Sequence, residues 1–513
     1  MGRGSVRAVG RAAVTPTAGV PGVREAGWWR DRTVAAVLGI TAVALVLRLP
    51  QLDQSLFGDE LFAFDEVVHR SFGGMLDAVL NGPEVTPPAY FVLAWITAQF
   101  GDPTIWIRLP SLLAGVALVP LTYALGTLTA GRRAALFAAA VMALSPLAIF
   151  YSVEARPYAL LALVVTATTV CLLRALPTRR KGWWAAYSAL SLVAVSTHLT
   201  AIFVLVAQAI WAVVTHREQL KPLIIANVVA AVTFMPWLPR LRRDDVGGLL
   251  DLYGSFNLSP SELGDELAHL LVGYPFVGLG EIPGSVVTAA FLTVFCALVA
   301  AAAWRGWRRG GRPGALDVLL VLLPLAVIGG LIANAILSGR DVVLTRNMIS
   351  AMPYVAVLIG VLVTRLPRRM AVAAGAVLLC SVAIGAVLAL GDAGQRPRFR
   401  DTATHLRREL RPGDVVLERL LFQTYGEFGQ PLTRHLKVYL DVRVPYFQGD
   451  GDDADDAAVR AAKSAGGRVF LVQPSRFETV GVPDAIGPGG RFRLTDRYLL
   501  PGIHPIAVAT YSG

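Results

Sequence analysis

Over residues 33–390 the apolar positions of this chain fall into long unbroken blocks separated by short polar intervals. The blocks lie at 33–49, 86–100, 107–128, 133–150, 157–174, 184–196, 198–216, 221–238, 286–304, 315–336, 349–364 and 369–390. A helix that crosses a bilayer needs roughly 20 apolar residues, so the shorter blocks must extend into their flanks. Continuous rather than alternating hydrophobicity predicts helices and argues against a transmembrane barrel. The pattern changes after Leu390. Short apolar runs near 414–418, 436–440, 468–472 and 492–500 predict strands, while 401–410 and 454–465 have helix-like composition, so residues 391–513 are expected to form a small α/β domain.

Composition narrows the class. Of 513 residues, 55% are hydrophobic and 16% charged, which excludes an ordinary soluble domain and indicates a polytopic membrane protein. The net charge of +11 does not point to nucleic acid, because the arginines gather between apolar blocks, at Arg132-Arg133, Arg179-Arg180-Lys181, Arg305 to Arg312 and Arg365 to Arg369. That is the signature of cytoplasmic loops. Cys171, Cys296 and Cys380 all sit in apolar segments and read as packed small hydrophobes. Residues 1–32, rich in arginine and glycine, read as a disordered cytoplasmic tail ahead of a retained first helix.

Basic-loop counting makes 50–85, 239–285 and 337–348 outer loops and places 391–513 outside. Twelve crossings from a cytoplasmic amino terminus would instead return the carboxyl terminus to the cytoplasm. The expected count is therefore 11–13, and 86–100 and the closely spaced pair around His198 are the places where it can change.

Candidate chemistry begins in the first outer loop, where Asp59, Glu60, Asp65 and Glu66 follow closely on a membrane segment. They are either a solvated helix face or a catalytic carboxylate, Asp59 with or without Glu60, held at the interface to act on a lipid-borne substrate. Met75, Leu76, Val79 and Leu80 can cover one side of a short interfacial helix. Pro87 and Pro88 make a stiff entrance to the next helix. In Tyr151-Ser152-Val153-Glu154-Ala155-Arg156-Pro157-Tyr158, Glu154 and Arg156 are either a local charge pair at a turn or a functional group, with Arg156 aimed at a phosphate and Tyr151 and Tyr158 shaping the wall. Arg340 and Arg346 lie in an outer loop, against the usual basic enrichment; Arg346, nearest the helix entrance, is the better phosphate candidate. His198 reads first as packing and second as pocket lining, with no ligand triad for a metal. Gly264-Asp265-Glu266 echoes the Gly58-Asp59-Glu60 tripeptide and reads first as a solvated helix and second as another active centre, and the acidic run 448–456 as a solvated linker rather than a calcium loop.

Together Gly58-Asp59-Glu60, Thr86-Pro87-Pro88-Ala89-Tyr90, Arg108-Leu109-Pro110-Ser111 and the 151–158 segment resemble the polytopic GT-C glycosyltransferases, in particular the group of the protein O-mannosyltransferases and lipid A aminoarabinose transferases. The resemblance covers roughly 33–390. It implies transfer of a monosaccharide from a polyprenyl-phosphate donor to a hydroxyl of a cell-envelope glycan, lipid or protein on the outer face of the membrane, with inversion. It makes Asp59 the catalytic carboxylate and Glu60 its acidic neighbour. Arg156, Arg346 and Arg340 would hold the donor phosphate, and Tyr151, Tyr158, Glu154, Pro87, Pro88 and His198 would line the pocket. No cofactor is required, and a divalent cation is compatible with the acidic pair. Two departures stand out: Thr86 occupies a place where the pattern often has His, and Arg346 is followed by Asn347 rather than Tyr. A lipid or glycan flippase and a noncatalytic glycan-binding protein are the competing classes.

Overall fold

The apolar blocks fold as helices in the computed structural model, which describes residues 32–81, 86–237, 259–309, 313–419, 435–441, 443–449, 452–474 and 481–513. The expected amino-terminal tail, apart from Arg32, and residues 239–258 of the second outer loop lie outside the described residues. Among those described, eight helices are long and apolar enough to cross a membrane, and nine if the bent pair Arg132–Leu144 and Pro146–Ser152 is one span. The 17-residue Lys181–Thr197 and the 15-residue Ala201–Thr215 also run from end to end. His198, between them, lies against Tyr158 at one end of the bundle, and Trp211 donates to the Ala315 carbonyl at the other. The described chain thus passes through the bundle eleven times, an odd number that carries residues 391–513 to the side opposite its start.

The expected crossing at 86–100 is not one of these passes. Ala89–Ala98 has only ten residues. Both its flanks stay at the outer end, where Thr86 meets Arg156 and the Tyr90 hydroxyl donates to the Ile107 carbonyl. A helix of this length spans about 15 Å, half the hydrocarbon thickness.

Lipid tails are as apolar as leucine, so the helices associate by close packing rather than by escape from water. Small residues permit that approach. A Cβ on Gly115 would lie 1.9 Å from the Ser152 hydroxyl, and one on Gly360 would lie 2.5 Å from the Ala134 carbonyl. Tyr158–Thr178 and the stretch Thr345–Thr364 are the innermost spans, 72% and 78% buried. Arg156 and Arg346 therefore stand at the ends of the two innermost helices, whereas the loop carrying Asp59 follows Arg32–Gln51, which is 17% buried.

The carboxyl-terminal domain is a six-stranded sheet: β1 (Val415–Glu418), β2 (Tyr446–Gln448), β3 (Val469–Pro474), β4 (Ala485–Ile486), β5 (Phe492–Leu500) and β6 (Ile506–Ser512), in the order β2-β1-β3-β6-β5-β4. β1 pairs in parallel with β2 and β3, and the β3-β6-β5-β4 half is antiparallel. Helices Phe399–Glu409 and Asp452–Ala465 cover opposite faces.

Three expectations are corrected here. Residues 436–440 are helical, within His435–Tyr439 and its cap: Leu436 and Leu440 enter the core of the sheet domain, while Val438, which a strand would place on the same face, packs against the membrane core. β6 went unread although all but its last residue are buried. Central strands covered on both faces lose the alternation that betrays a half-exposed strand. The run 448–456 is not a solvated linker in its described part: Asp452, Asp453 and Asp455 form the first turn of a helix, where carboxylates complement the helix dipole, and Asp455 pairs with Arg419 at 2.7 Å.

Candidate active site

Gly58 takes a left-handed φ of +56° and turns the chain so that Asp59 stands just ahead of the helix Glu60–Val67, its side chain free of any capping bond to it. Successive residues at this turn point to different environments. Asp59 remains partly exposed, 24% against 22% for its partner Arg346, and its Oδ2 accepts from Arg346 Nη1 at 2.8 Å. Burial works to raise the Asp59 carboxyl, but Arg346 and then Arg156 outweigh it and hold the group below the usual carboxylate range.

Glu60 is fully buried. Its oxygens accept from Arg108 Nε at 2.7 Å and Nη2 at 2.6 Å, from the Ala155 amide at 2.7 Å and from the Phe57 amide at 3.1 Å, and Arg396 Nη1 lies 3.3 Å away. Arg108 is also fully buried and donates to the Leu52, Gln54 and Ser55 carbonyls. A carboxylate so enclosed has no lone pair to offer a substrate or a cation. The expectation of Glu60 as a second catalytic carboxylate is therefore corrected: it is the post to which the first outer loop is tied.

The four sequence motifs converge on this post. Arg108 and Ala155 reach Glu60, the Ser111 hydroxyl donates to the Arg156 carbonyl at 2.9 Å, and Arg156 Nη2 donates to Thr86 Oγ1 at 3.4 Å. The position where Thr86 departs from the related pattern is thus an arginine contact. Glu154 lies in the same turn, 5% exposed, its Oε2 lacking a hydrogen-bond partner. Burial pushes its carboxyl up to about 8, against the lowering pull of Arg396.

Beside the acidic turn opens a cavity of about 480 Å³, lined by Tyr151, Glu266, His269, Phe276, Thr345 and Arg346 among others. Phe276 holds a left-handed φ of +65°, rare for a bulky residue, with its ring edge-on to Phe57 at 5.6 Å and Phe150 at 5.7 Å. Glu266 corrects the solvated-helix reading of its motif: it lies on Pro260–Val272 and accepts from both the amide and the hydroxyl of Thr345, the residue before Arg346. His269 bridges the Asp265 carbonyl at 2.8 Å and the Val277 carbonyl at 3.1 Å, so it is a strut of the wall.

The other expected residues divide. Tyr151 lines the cavity and packs against Tyr158, their centroids 5.1 Å apart. His198 lies behind Tyr158 with its Nδ1 2.9 Å from Thr200 Oγ1, as packing rather than lining. Pro87 is buried and Pro88 caps Ala89–Ala98; neither lines the cavity. Arg340 is half-buried and does not line it either. The sequence reading missed Arg396, which ties to Glu60 and the Val153 carbonyl and covers the Phe150 ring at 4.7 Å. Its signal was available: Arg396, Arg398 and Arg400 form a basic cluster on the outer side, where topology calls for none.

This membrane bundle, with an acidic first outer loop and a carboxyl-terminal sheet domain, is a fold shared with solved membrane proteins. A family model for dolichyl-phosphate-mannose-protein mannosyltransferase matches residues 84–239. The chain superposes on ArnT from Cupriavidus metallidurans bound to undecaprenyl phosphate with a TM-score of 0.56 and 16% identity, over 93% of this chain and 98% of that one. The apo form of the same protein gives 0.54 and 17%, with the same coverage. The Archaeoglobus fulgidus oligosaccharyltransferase tethered to an acceptor peptide gives 0.50 and 11%, over 87% of this chain and 70% of that one. No curated protein matches the sequence.

Proposed function

We propose that this protein is a membrane glycosyltransferase that moves a monosaccharide from a polyprenyl-phosphate donor to a hydroxyl of a cell-envelope glycan, lipid or protein. One observation carries the reading: Asp59 and Arg346, 287 positions apart, meet at 2.8 Å beside a cavity at the outer end of the bundle. ArnT, whose architecture this chain shares, has been seen with undecaprenyl phosphate.

The pair suggests how the chemistry is timed. While Arg346 neutralises Asp59, the carboxylate is a weak base. A donor phosphate that accepts hydrogen bonds from Arg346 draws the guanidinium away, and the Asp59 carboxyl rises toward its ordinary value. Asp59 then takes the acceptor hydroxyl proton as the acceptor oxygen bonds to the anomeric carbon. The bond from that carbon to the phosphate oxygen breaks, and its electron pair leaves with polyprenyl phosphate. Attack opposite the leaving group inverts the anomeric centre. Arg346 and Arg156 offset the charge growing on the phosphate, an interaction stronger in the transition state than before it. Since the Glu60 oxygens are taken by Arg108, Arg396 and two amides, charge neutralisation falls to the arginines, and EDTA is expected to leave transfer intact.

The carboxyl-terminal domain serves to hold the catalytic loop. The Tyr439 hydroxyl accepts from the Leu56 amide at 2.6 Å, the Ser55 hydroxyl accepts from the Arg400 amide at 3.0 Å, and Phe57 packs against His435 and His504. Purified full-length protein incubated with radiolabelled polyprenyl-phosphate sugars and candidate acceptors is expected to yield labelled acceptor. Uptake or binding of the sugar lipid without covalent transfer would favour the flippase or binding-protein classes.

A further inference from the structure

A second cavity, of about 450 Å³, opens at the opposite end of the bundle between Ser285–Arg309, Ala315–Ser338 and Met352–Thr364. Its place is fixed by two helices that also serve the catalytic end. Ala315–Ser338 runs from Asp317 on this cavity to the segment before Arg346, a rise of about 36 Å. The stretch Thr345–Thr364 carries Arg346 at one end and leads directly into Arg365 at the other. The proposed reaction makes no use of this end.

Its lining joins two chemistries. Leu298, Leu362 and Leu366 give it an apolar wall, while Arg305 and Arg365 stand at its rim. Ala301, Ala302 and Gly306 follow Leu298 on the same helix, so no bulky side chain from that helix fills the space between Leu298 and Arg305. Arg305 donates one bond to the Arg365 carbonyl at 3.3 Å, and Arg365 pairs with Asp317 at 2.7 Å, 56% and 41% exposed. Guanidinium groups carry further N–H donors beyond these. The Trp304 and Trp307 rings lie 5.1 Å apart and tilted by 36°, with Arg308 over the Trp304 ring, and both are exposed, 53% and 74%. Amphipathic rings beside arginines mark the depth of the lipid headgroups, and the basic loops identify the leaflet as cytoplasmic.

We propose that this cleft binds an anionic phospholipid of the cytoplasmic leaflet, its headgroup phosphate held by Arg305 and Arg365 and an acyl chain lying against Leu298, Leu362 and Leu366. A zwitterionic lipid brings its own cation toward the same arginines and is disfavoured. Asp317 competes with the phosphate for Arg365 and sets the affinity. The arginines are solvent-accessible, so the interaction weakens with salt.

The test is native mass spectrometry of the purified full-length protein titrated with phosphatidylglycerol, phosphatidylcholine and a short polyprenyl phosphate. Phosphatidylglycerol is expected to bind more tightly than phosphatidylcholine by about fivefold for each arginine engaged. The Arg305→Ala/Arg365→Ala double variant should lose that preference, and Asp317→Asn should strengthen it. Retained donor binding at the opposite end reports that both variants are folded. Equal binding of the two phospholipids, a preference unchanged in the double variant, or weaker binding in Asp317→Asn would each overturn the proposal. Displacement of phosphatidylglycerol by polyprenyl phosphate at equal concentration would overturn the phospholipid assignment in favour of the carrier lipid.

Discussion

The chain contains Gly-Asp-Glu-Leu twice, at 58–61 and 264–267, and the two copies take opposite roles. In the first, the aspartate faces Arg346 and the glutamate is sealed among arginines. In the second, Asp265 is exposed and the glutamate secures Thr345, next to Arg346. The difference lies in what surrounds the turn. Gly58 bends sharply and is flanked by buried Phe57, so two neighbouring carboxylates are forced apart into the cleft and the core. Gly264 sits inside a regular helix, where Asp265 and Glu266 simply point to adjacent directions. Identical motifs therefore converge on one arginine from two sides, through Asp59 as its ion-pair partner and through Glu266 as support for Thr345, the residue before it.

The widest separation between the copies is expected in turnover. Asp59→Asn should lower transfer by on the order of 10²- to 10⁴-fold while donor binding persists, and Asp265→Asn should remain near wild type; radiolabel transfer by the folded variants checks both. Near-normal turnover in Asp59→Asn would end the base assignment. Next, Glu60→Gln leaves Arg108 and Arg396 with an uncompensated buried charge and should cost about 3–5 kcal/mol of stability, seen as a lower unfolding midpoint in detergent. Glu266→Gln, in a half-exposed setting, should leave the midpoint near wild type and weaken donor binding by only about 1 kcal/mol, read as a few-fold rise in donor KM.

Arg346→Ala sharpens the comparison by removing the point where the copies meet. Donor kcat/KM should fall about 10- to 100-fold. Because Arg346 is the strongest group lowering the Asp59 carboxyl, the acid limb of the pH–rate profile should also move to higher pH. An acid limb that stays in place would remove Arg346 as the group that sets Asp59. A pH-dependent effect is expected at Glu154. Its folded pKa of about 8 lies above the ordinary 4.5, so the protonated form is the one the fold accommodates. The associated stability is full below the ordinary value and lost as pH rises through 8. Glu154→Gln should therefore match the wild-type midpoint near pH 4 and exceed it above pH 8.

Much of the candidate site's geometry was legible. Asp59, Arg346, Arg156 and Tyr151 were readable because charge beside an apolar helix is costly enough to need a purpose. Glu60 was misread because adjacent carboxylates look alike in one dimension. Glu266 was set aside for the same reason, since helical spacing cannot say which face meets another loop. The helix at 435–439 failed as a strand because three alternating apolar residues satisfy either period over so short a run.

The sequence by itself determined the membrane bundle, its orientation and a mixed sheet domain outside, because hydropathy and the asymmetric placement of arginine act locally along the chain. Only the tertiary structure decided that 86–100 turns back, that Glu60 is enclosed among arginines while Asp59 faces Arg346 at the cleft, and that Arg396 reaches into the first loop. Each depends on bonds between residues tens to hundreds of positions apart, and the charge a carboxylate meets is set by those partners rather than by its neighbours in sequence.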